Sequence, residues 1–93
     1  MGLFKDYAYC NFEGKHHIEV EARANIVAAE YSLIINNRKI DQISGLLGAF
    51  KLRGVIQTDD AERLVVVHVK QSIFGTKFSL EIDGREVPLI KKY

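Results

Sequence analysis

Several residue types that organise other small proteins are scarce in this 93-residue chain. It contains one cysteine, one proline and no tryptophan. A single cysteine excludes an intrachain disulfide, so the fold has to be stabilised by packing and backbone hydrogen bonds. A lone thiol also fits a reducing compartment, and we therefore expect a cytoplasmic protein.

The net charge is also small, and the sequence has no long apolar run. Thirteen Lys and Arg residues stand against twelve Asp and Glu residues, which gives a formal charge of +1. Non-specific binding to nucleic acid or acidic membranes usually needs a basic excess. No run approaches the ~18 apolar residues of a membrane span. Because Lys5 and Asp6 interrupt the N-terminal segment, no signal peptide is expected either. These absences predict a protein with no membrane partner.

The residues that are present predict one folded domain over residues 1–93. The hydrophobic share is 47%, which is ordinary for a globular chain. A domain of this length buries roughly 60–65% of its unfolded surface, so it has a core but little room for a deep enclosed active site.

The second half of the chain repeats the first. Sliding residues 17–43 onto residues 64–90 without a gap gives seven identical pairs. They are Val20/Val67, Ile26/Ile73, Ser32/Ser79, Leu33/Leu80, Ile35/Ile82, Arg38/Arg85 and Ile43/Ile90. The pattern predicts two internal repeats of about 46 residues, covering 3–45 and 49–93.

Both repeats alternate apolar and polar residues with the period of a β-strand. Residues 17–23 and 64–70 each send three apolar side chains inward. Further strands are predicted at 31–35 and 78–82, with opening strands at 4–12 and 50–57. Cys10 alternates with Ala8 and Phe12 and is therefore expected in the core.

Turn residues separate these strands. Asp83-Gly84 is a preferred pair for a two-residue hairpin, and Asn36-Asn37 can adopt the same positive φ angles. Residues 24–30 could form a short helix, but their repeat partner, 71–77, contains Gly75, so both are predicted as turns. Pro88 cannot donate a ladder hydrogen bond, which predicts a sheet edge or a bulge in the last strand.

The predicted fold class is all-β. Four strands per repeat give an eight-stranded antiparallel β-sandwich built from two pseudo-symmetric repeats. Whether each repeat forms its own sheet or the two interleave stays open at this point.

Four short segments resemble the Fas apoptotic inhibitory molecule family. Residues 78–88 read Phe-Ser-Leu-Glu-Ile-Asp-Gly-Arg-Glu-Val-Pro, which is similar to that family's closing hairpin. Segments 17–20, 33–40 and 50–54 resemble its other recurring runs. The likeness covers about half the chain and is concentrated in these four segments. The resemblance implies a compact β-sandwich without catalytic activity that works through protein contacts, with links to cell survival. The familiar members carry two such domains, whereas this chain has one.

No catalytic, metal or cofactor motif emerges. His17 and His68 are expected to face outward on different repeats, with His16 in a turn, and no Cys-x-x-Cys or His-Glu-x-x-His spacing occurs. The serines lie outside any Gly-x-Ser-x-Gly elbow. We predict no enzyme, no metal and no cofactor.

Two surface patterns suggest binding. Ile34, Leu64 and Val66 are outward positions that are apolar, and such a stripe predicts an interface with a protein partner or a second copy. Lys5, Tyr7 and Tyr9 alternate on the first strand, and Lys51, Arg53 and Val55 hold the matching positions in the second repeat. Bases interleaved with aromatics can bind single-stranded nucleic acid.

These patterns lead to a ranked set of functions. The leading hypothesis is a non-catalytic protein-interaction module that uses Ile34, Leu64 and Val66. The alternative is a single-stranded nucleic-acid-binding domain that uses Lys5, Tyr7, Tyr9, Lys51 and Arg53. A small enzyme or ligand binder comes third.

Overall fold

In the part of the chain that the structure describes, the alternating segments form nine strands. A computed structural model describes residues 4–24, 28–45 and 47–92. The strands are β1 (Phe4–Phe12), β2 (His16–Ala24), β3 (Ala29–Ile35), β4 (Arg38–Ser44), β5 (Gly48–Gln57), β6 (Glu62–Ser72), β7 (Gly75–Ile82), β8 (Arg85–Val87) and β9 (Ile90–Lys92).

The strands form two antiparallel sheets, which confirms the all-β sandwich. The first half of the chain supplies β1 to β4 of a five-stranded sheet with the order β4-β3-β2-β1-β9. The second half supplies the four-stranded sheet β5-β6-β7-β8. Each half thus forms one sheet of consecutive hairpins, and among the described strands only β9 crosses into the sheet of the other half.

The crossing of β9 occurs at Pro88. The sequence predicts one continuous last strand, and the structure corrects this to two short strands on either side of Pro88 and Leu89. Proline lacks the amide N–H that would continue the ladder of β8. Both β8 and β9 are sheet-edge strands, as the position of Pro88 predicts.

The inward positions of the two sheets share one core. Ile18, Val20 and Ala22 in β2 are fully buried, as their alternation predicts, and so is Leu33 in β3. Cys10 is only 6% exposed, which confirms its predicted place in the core. The four-stranded sheet contributes Leu52, Ile56, Val65, Val67, Val69, Leu80 and Ile82. Burying a large aliphatic side chain of this kind contributes about 1.5–3 kcal/mol.

Turn chemistry explains two of the hairpins. Asn36 and Asn37 both have positive φ, as do Asp83 and Gly84, which confirms the predicted two-residue turns. The turn predicted over 71–77 is tighter than expected, because Ser72 already pairs with Gly75. Of the turn predicted over 24–30, residues 25–27 lie outside the described residues, and β3 begins at Ala29.

Contacts between the sheets show which strand ends lie together. Tyr31 stacks on Phe50 with ring centroids 5.0 Å apart, and its hydroxyl donates to Gln71 at 3.3 Å. At the opposite end, the Lys15 ammonium lies 3.2 Å from the Asp59 carboxylate. The hairpin tip at 73–74 is therefore at one end of the sandwich, and loops 13–15 and 58–61 are at the other.

A bulge closes the corner where β4 runs beside β5. The simple hairpin register would pair Leu33 with Ile40, but the structure pairs Leu33 with Asp41 and leaves Ile40 as the extra residue. The Ile40 side chain fits against Gly54, which has no side chain of its own. The bulge also turns the Asp41 side chain towards β5, where its carboxylate accepts a hydrogen bond from the backbone N–H of Arg53 at 2.9 Å.

Candidate interaction surface

The structure divides the predicted apolar stripe. Leu64 and Val66 lie on the outer face of the four-stranded sheet, in β6. Ile34 lies in β3 of the other sheet, on a face that points the opposite way, so the prediction that the three share one surface is wrong. Each half of the chain forms its own sheet, and outward positions of two packed sheets face away from each other.

Leu64 has a different apolar partner, Val55. The two residues are directly opposite each other on β6 and β5, and they are 49% and 48% exposed. Val66, two residues along β6, faces the same side and is half-buried. We call Val55, Leu64 and Val66 the apolar patch.

Positively charged, negatively charged and uncharged polar residues border the apolar patch. Arg53 is opposite Val66 on one side, and Glu81 is opposite it on the other. At the end nearer the β5–β6 loop, the Gln57 amide donates to Glu62 at 2.8 Å. An apolar centre inside a polar rim is the usual anatomy of a protein interface.

The turn between β7 and β8 fixes the backbone of the apolar patch. The Asp83 carboxylate accepts the backbone N–H of Leu64 at 2.9 Å and lies 3.0 Å from the Arg63 guanidinium. These two hydrogen bonds hold the pKa of Asp83 below its usual value, the Leu64 amide contributing most. The carboxylate stays charged at neutral pH, so Leu64 is held at a fixed position.

Sequence reasoning missed the pairing of Val55 with Leu64. The alternation of residues 50–57 already marks Val55 as outward, but alternation says nothing about which residue of the next strand lies opposite. The register depends on the four-residue loop 58–61, where Thr58 and Ala61 exchange backbone and side-chain hydrogen bonds. That loop contains no Asn-Gly or Asp-Gly pair that would have indicated the register in advance.

The predicted nucleic-acid face is divided in the same way. Lys5, Tyr7 and Tyr9 lie in β1 of the five-stranded sheet, whereas Lys51 and Arg53 lie in β5 of the other sheet. The prediction of a single face is therefore wrong, for the same reason as for the apolar stripe. Equivalent positions of the two half-chains lie on opposite outer faces.

The β1 part of that face is lined by glutamates. Lys5 lies 3.5 Å from Glu21, and the Tyr7 hydroxyl donates to Glu19 at 2.5 Å. Burial and this hydrogen bond raise the pKa of Tyr7 to about 12, burial having the larger effect. A surface whose cation and hydroxyl already bind carboxylates is poorly suited to a polyanion.

The histidines do not converge. His17 and His68 lie on the outer faces of different sheets, as predicted, and each has a glutamate within 3.3 Å. His16 is not in a turn but is the first residue of β2, and its Nδ1 is buried without a hydrogen-bond partner. Within residues 4–24, 28–45 and 47–92, no group of three His, Cys, Asp or Glu residues could hold a metal ion.

Cys10 and the surface clefts offer little reactive chemistry. Burial raises the pKa of the Cys10 thiol, which keeps it protonated at neutral pH. A polar cleft of about 190 Å³ lies between loops 13–15 and 58–61, and the Lys15–Asp59 ion pair is part of its wall. A second cleft, of about 290 Å³, lies on the five-stranded sheet beside Ile34 and Lys39.

Comparison with known proteins gives no relative from which a function could be transferred. No family model, no curated protein and no solved structure matches the chain. Among the described residues, no helix is long and apolar enough to cross a membrane.

Proposed function

We propose that the protein is a non-catalytic interaction module and that the apolar patch is its docking surface. The observation that carries this proposal is the exposure of Val55 and Leu64, which face each other across β5 and β6 while each remains about half exposed. Large aliphatic side chains paired in this way on an outer face expose apolar surface that a partner would remove from water.

The chemistry of the rim favours a second copy as the partner. Arg53 and Glu81 flank Val66 from opposite sides, so the rim carries both charges. A twofold axis through the patch would bring Arg53 of one molecule towards Glu81 of the other. The two outer sheets would then pack face to face, about 10 Å apart, as sheets do in a sandwich.

The family hypothesis supports the same class of function. The likeness of residues 17–20, 33–40, 50–54 and 78–88 to the Fas apoptotic inhibitory molecule family rests on short motifs. Membership of that family, the repeat origin of the two halves and a cytoplasmic location are parts of this proposal. The single buried Cys10 supports the cytoplasmic location.

Sedimentation equilibrium across a range of protein concentrations tests the proposal. We expect the wild type to form a concentration-dependent dimer and Leu64→Glu to weaken it by about thirtyfold or more, because the variant buries a charge at the centre of the interface. Leu64 is half exposed in one molecule, so the variant should fold normally.

Ile90→Glu is the matched control. Ile90 is also a large apolar residue, 57% exposed, but it lies on β9 of the other sheet. We expect this variant to dimerise like the wild type. A wild type that stays monomeric throughout, or a dimer that Leu64→Glu leaves intact, would contradict the proposal.

A further inference from the structure

The hairpin between β6 and β7 ends in two of the most exposed apolar side chains in the described chain. Ile73 is 80% exposed and Phe74 is 92% exposed. Leu47, 59% exposed, directly precedes Gly48, whose partner across the sheet is Gln71. We call Leu47, Ile73 and Phe74 the apolar tip; they project from the same end of the four-stranded sheet.

A buried glutamine supports the apolar tip from behind. The Gln71 side-chain amide donates to the backbone carbonyls of Ser72 and Gly75, at 2.9 and 3.1 Å. Its carbonyl oxygen accepts hydrogen bonds from the hydroxyls of Thr76 and Tyr31. The hairpin is thereby tied to the core of both sheets, so Ile73 and Phe74 are presented on a fixed support.

Two lysines lie directly behind the tip. Lys70 and Lys77 are exposed and directly opposite each other on β6 and β7, an arrangement in which like charges repel. Neither lysine side chain makes an ion pair or hydrogen bond within the part of the chain that the structure describes. Glu81, four residue pairs behind the lysines on the same face, lies 3.3 Å from His68. The local surface is therefore cationic although the whole chain is almost neutral.

The spacing of these features matches the layers of a membrane surface. Lys70 and Lys77 lie two residue pairs behind the last pair of the hairpin, Ser72 and Gly75, which is about 7 Å along the strands. Amphipathic helices that lie in the membrane interface bury their apolar faces roughly 5–10 Å into the boundary between headgroups and acyl chains, which sets the scale for an inserted side chain. With the tip at that depth, the two ammonium groups would lie among the headgroups.

We propose that this end of the protein docks on an anionic lipid bilayer, with Leu47, Ile73 and Phe74 inserted and Lys70 and Lys77 bound to acidic headgroups. The sequence predicts no membrane partner because the net charge is small and no apolar run could span a membrane. Neither property shows how the charges are distributed over the surface. The apolar tip and the apolar patch are different surfaces, so this proposal does not depend on the dimer.

Charge also favours a bilayer over a second copy at this end. Two copies meeting tip to tip would bring four lysines around one small apolar contact, and Glu81, four residue pairs behind the lysines, lies next to His68. Three side chains also fall well short of the roughly 800 Å² per partner that a stable protein interface buries.

Phe74→Trp gives a direct probe of insertion, because the chain has no tryptophan of its own. We expect its emission to shift to shorter wavelength with vesicles of phosphatidylcholine and phosphatidylserine, and to be quenched by brominated acyl chains. Vesicles of phosphatidylcholine alone should give no shift. Ile90→Trp, 57% exposed on β9 of the other sheet, is the control and should respond to neither vesicle.

Vesicle sedimentation with the otherwise native chain tests each part of the site. Phe74→Ser should lower the partition coefficient at least tenfold, because burial of one aromatic side chain is lost. Lys70→Gln with Lys77→Gln should lower it about 25-fold, since each basic residue near an anionic surface contributes about a fivefold factor. Lys39→Gln on the other sheet should change nothing.

Three results would overturn the proposal. One is a wild type that does not sediment with phosphatidylserine vesicles at low salt. Another is a dimer that Phe74→Ser dissociates, which would assign the tip to a second copy. The third is binding of single-stranded DNA by the wild type that weakens with salt. If the lysine variants abolish this binding and Phe74→Ser does not, the lysines bind nucleic acid and not headgroups.

Discussion

Tyr7 shows how one residue changes role when its neighbours are known. Its alternation with Lys5 and Tyr9 predicts an aromatic available for stacking on a base. In the structure its hydroxyl donates to Glu19, and its ring lies 6.1 Å from that of Tyr9. Glu19 also lies 3.2 Å from His17. Tyr7 is therefore part of a network that joins β1 to β2, and its contribution is to stability.

The raised pKa of Tyr7 makes that contribution depend on pH. The folded-state pKa is about 12, whereas the ordinary value is 10.0. The stabilisation is complete below pH 10 and is lost as the pH rises from 10 through 12, because folding then opposes deprotonation. We expect urea midpoints to fall over this range in the wild type and to fall less in Tyr7→Phe. At neutral pH the variant should lose about 1–2 kcal/mol for the missing hydrogen bond.

Tyr9→Phe is the control for this titration. It also removes a hydroxyl from β1, but that hydroxyl has no hydrogen-bond partner in the described part of the chain. Its alkaline loss of stability should stay close to that of the wild type, because Tyr9 makes the smallest of the contributions to the pKa of Tyr7. If Tyr7→Phe loses as much stability at alkaline pH as the wild type does, Tyr7 is not the group responsible for the pH dependence.

At the scale of strands and turns, local chemistry predicted most of the structure. Alternation identified the inward residues of β2 and β6, and the pairs Asn36-Asn37 and Asp83-Gly84 predicted their turns. The bulge at Ile40 could not be predicted in this way. It depends on Gly54 in another sheet, because the space that Ile40 fills exists only after the two sheets have packed.

Gly54→Ala tests this corner of the sandwich. A Cβ at Gly54 would lie 3.0 Å from Ile40 Cγ2 and 3.1 Å from Ile35 Cδ1. We expect a loss of about 1–3 kcal/mol in the free energy of unfolding from overpacking. Combining it with Ile40→Ala, which removes the nearest carbon, should cost less than the sum of the two single changes. Strict additivity would show that the two residues do not meet.

At the scale of the whole molecule, the sequence predicted the architecture but not the surfaces. Equivalence between the half-chains groups Lys5 with Lys51, but two half-chains that pack face to face place such positions on opposite sides. The residue opposite Leu64 could not be predicted either, because the register of β5 against β6 determines that it is Val55. Which strand lies beside which is a non-local property, and a single sequence carries only weak signals of it.

The crossing of β9 leads to a prediction about the whole fold. A chain that ends at Leu89 leaves β1 as an open edge next to Tyr7 and Tyr9. We expect a loss of about 2 kcal/mol from the missing strand pairing and a rise in light scattering, because open edges recruit other strands. Ile90→Thr, which keeps the backbone of β9, should scatter like the wild type. Unchanged scattering in the shortened chain would mean that β9 does not protect the edge.

The antiparallel pairing of β1 with β9 also determines how the molecule would respond to force. Tyr7 lies opposite Lys92 and Tyr9 lies opposite Ile90, so the two ends of the described chain leave the sheet on adjacent strands and at the same end of the sandwich. Tension between those ends would load the pairs one after another, beginning at Tyr7–Lys92, instead of shearing them all at once. The residue pairs between β1 and β9 should therefore separate one at a time and at low force. Strand β9 would detach first, while the two four-stranded halves remain folded.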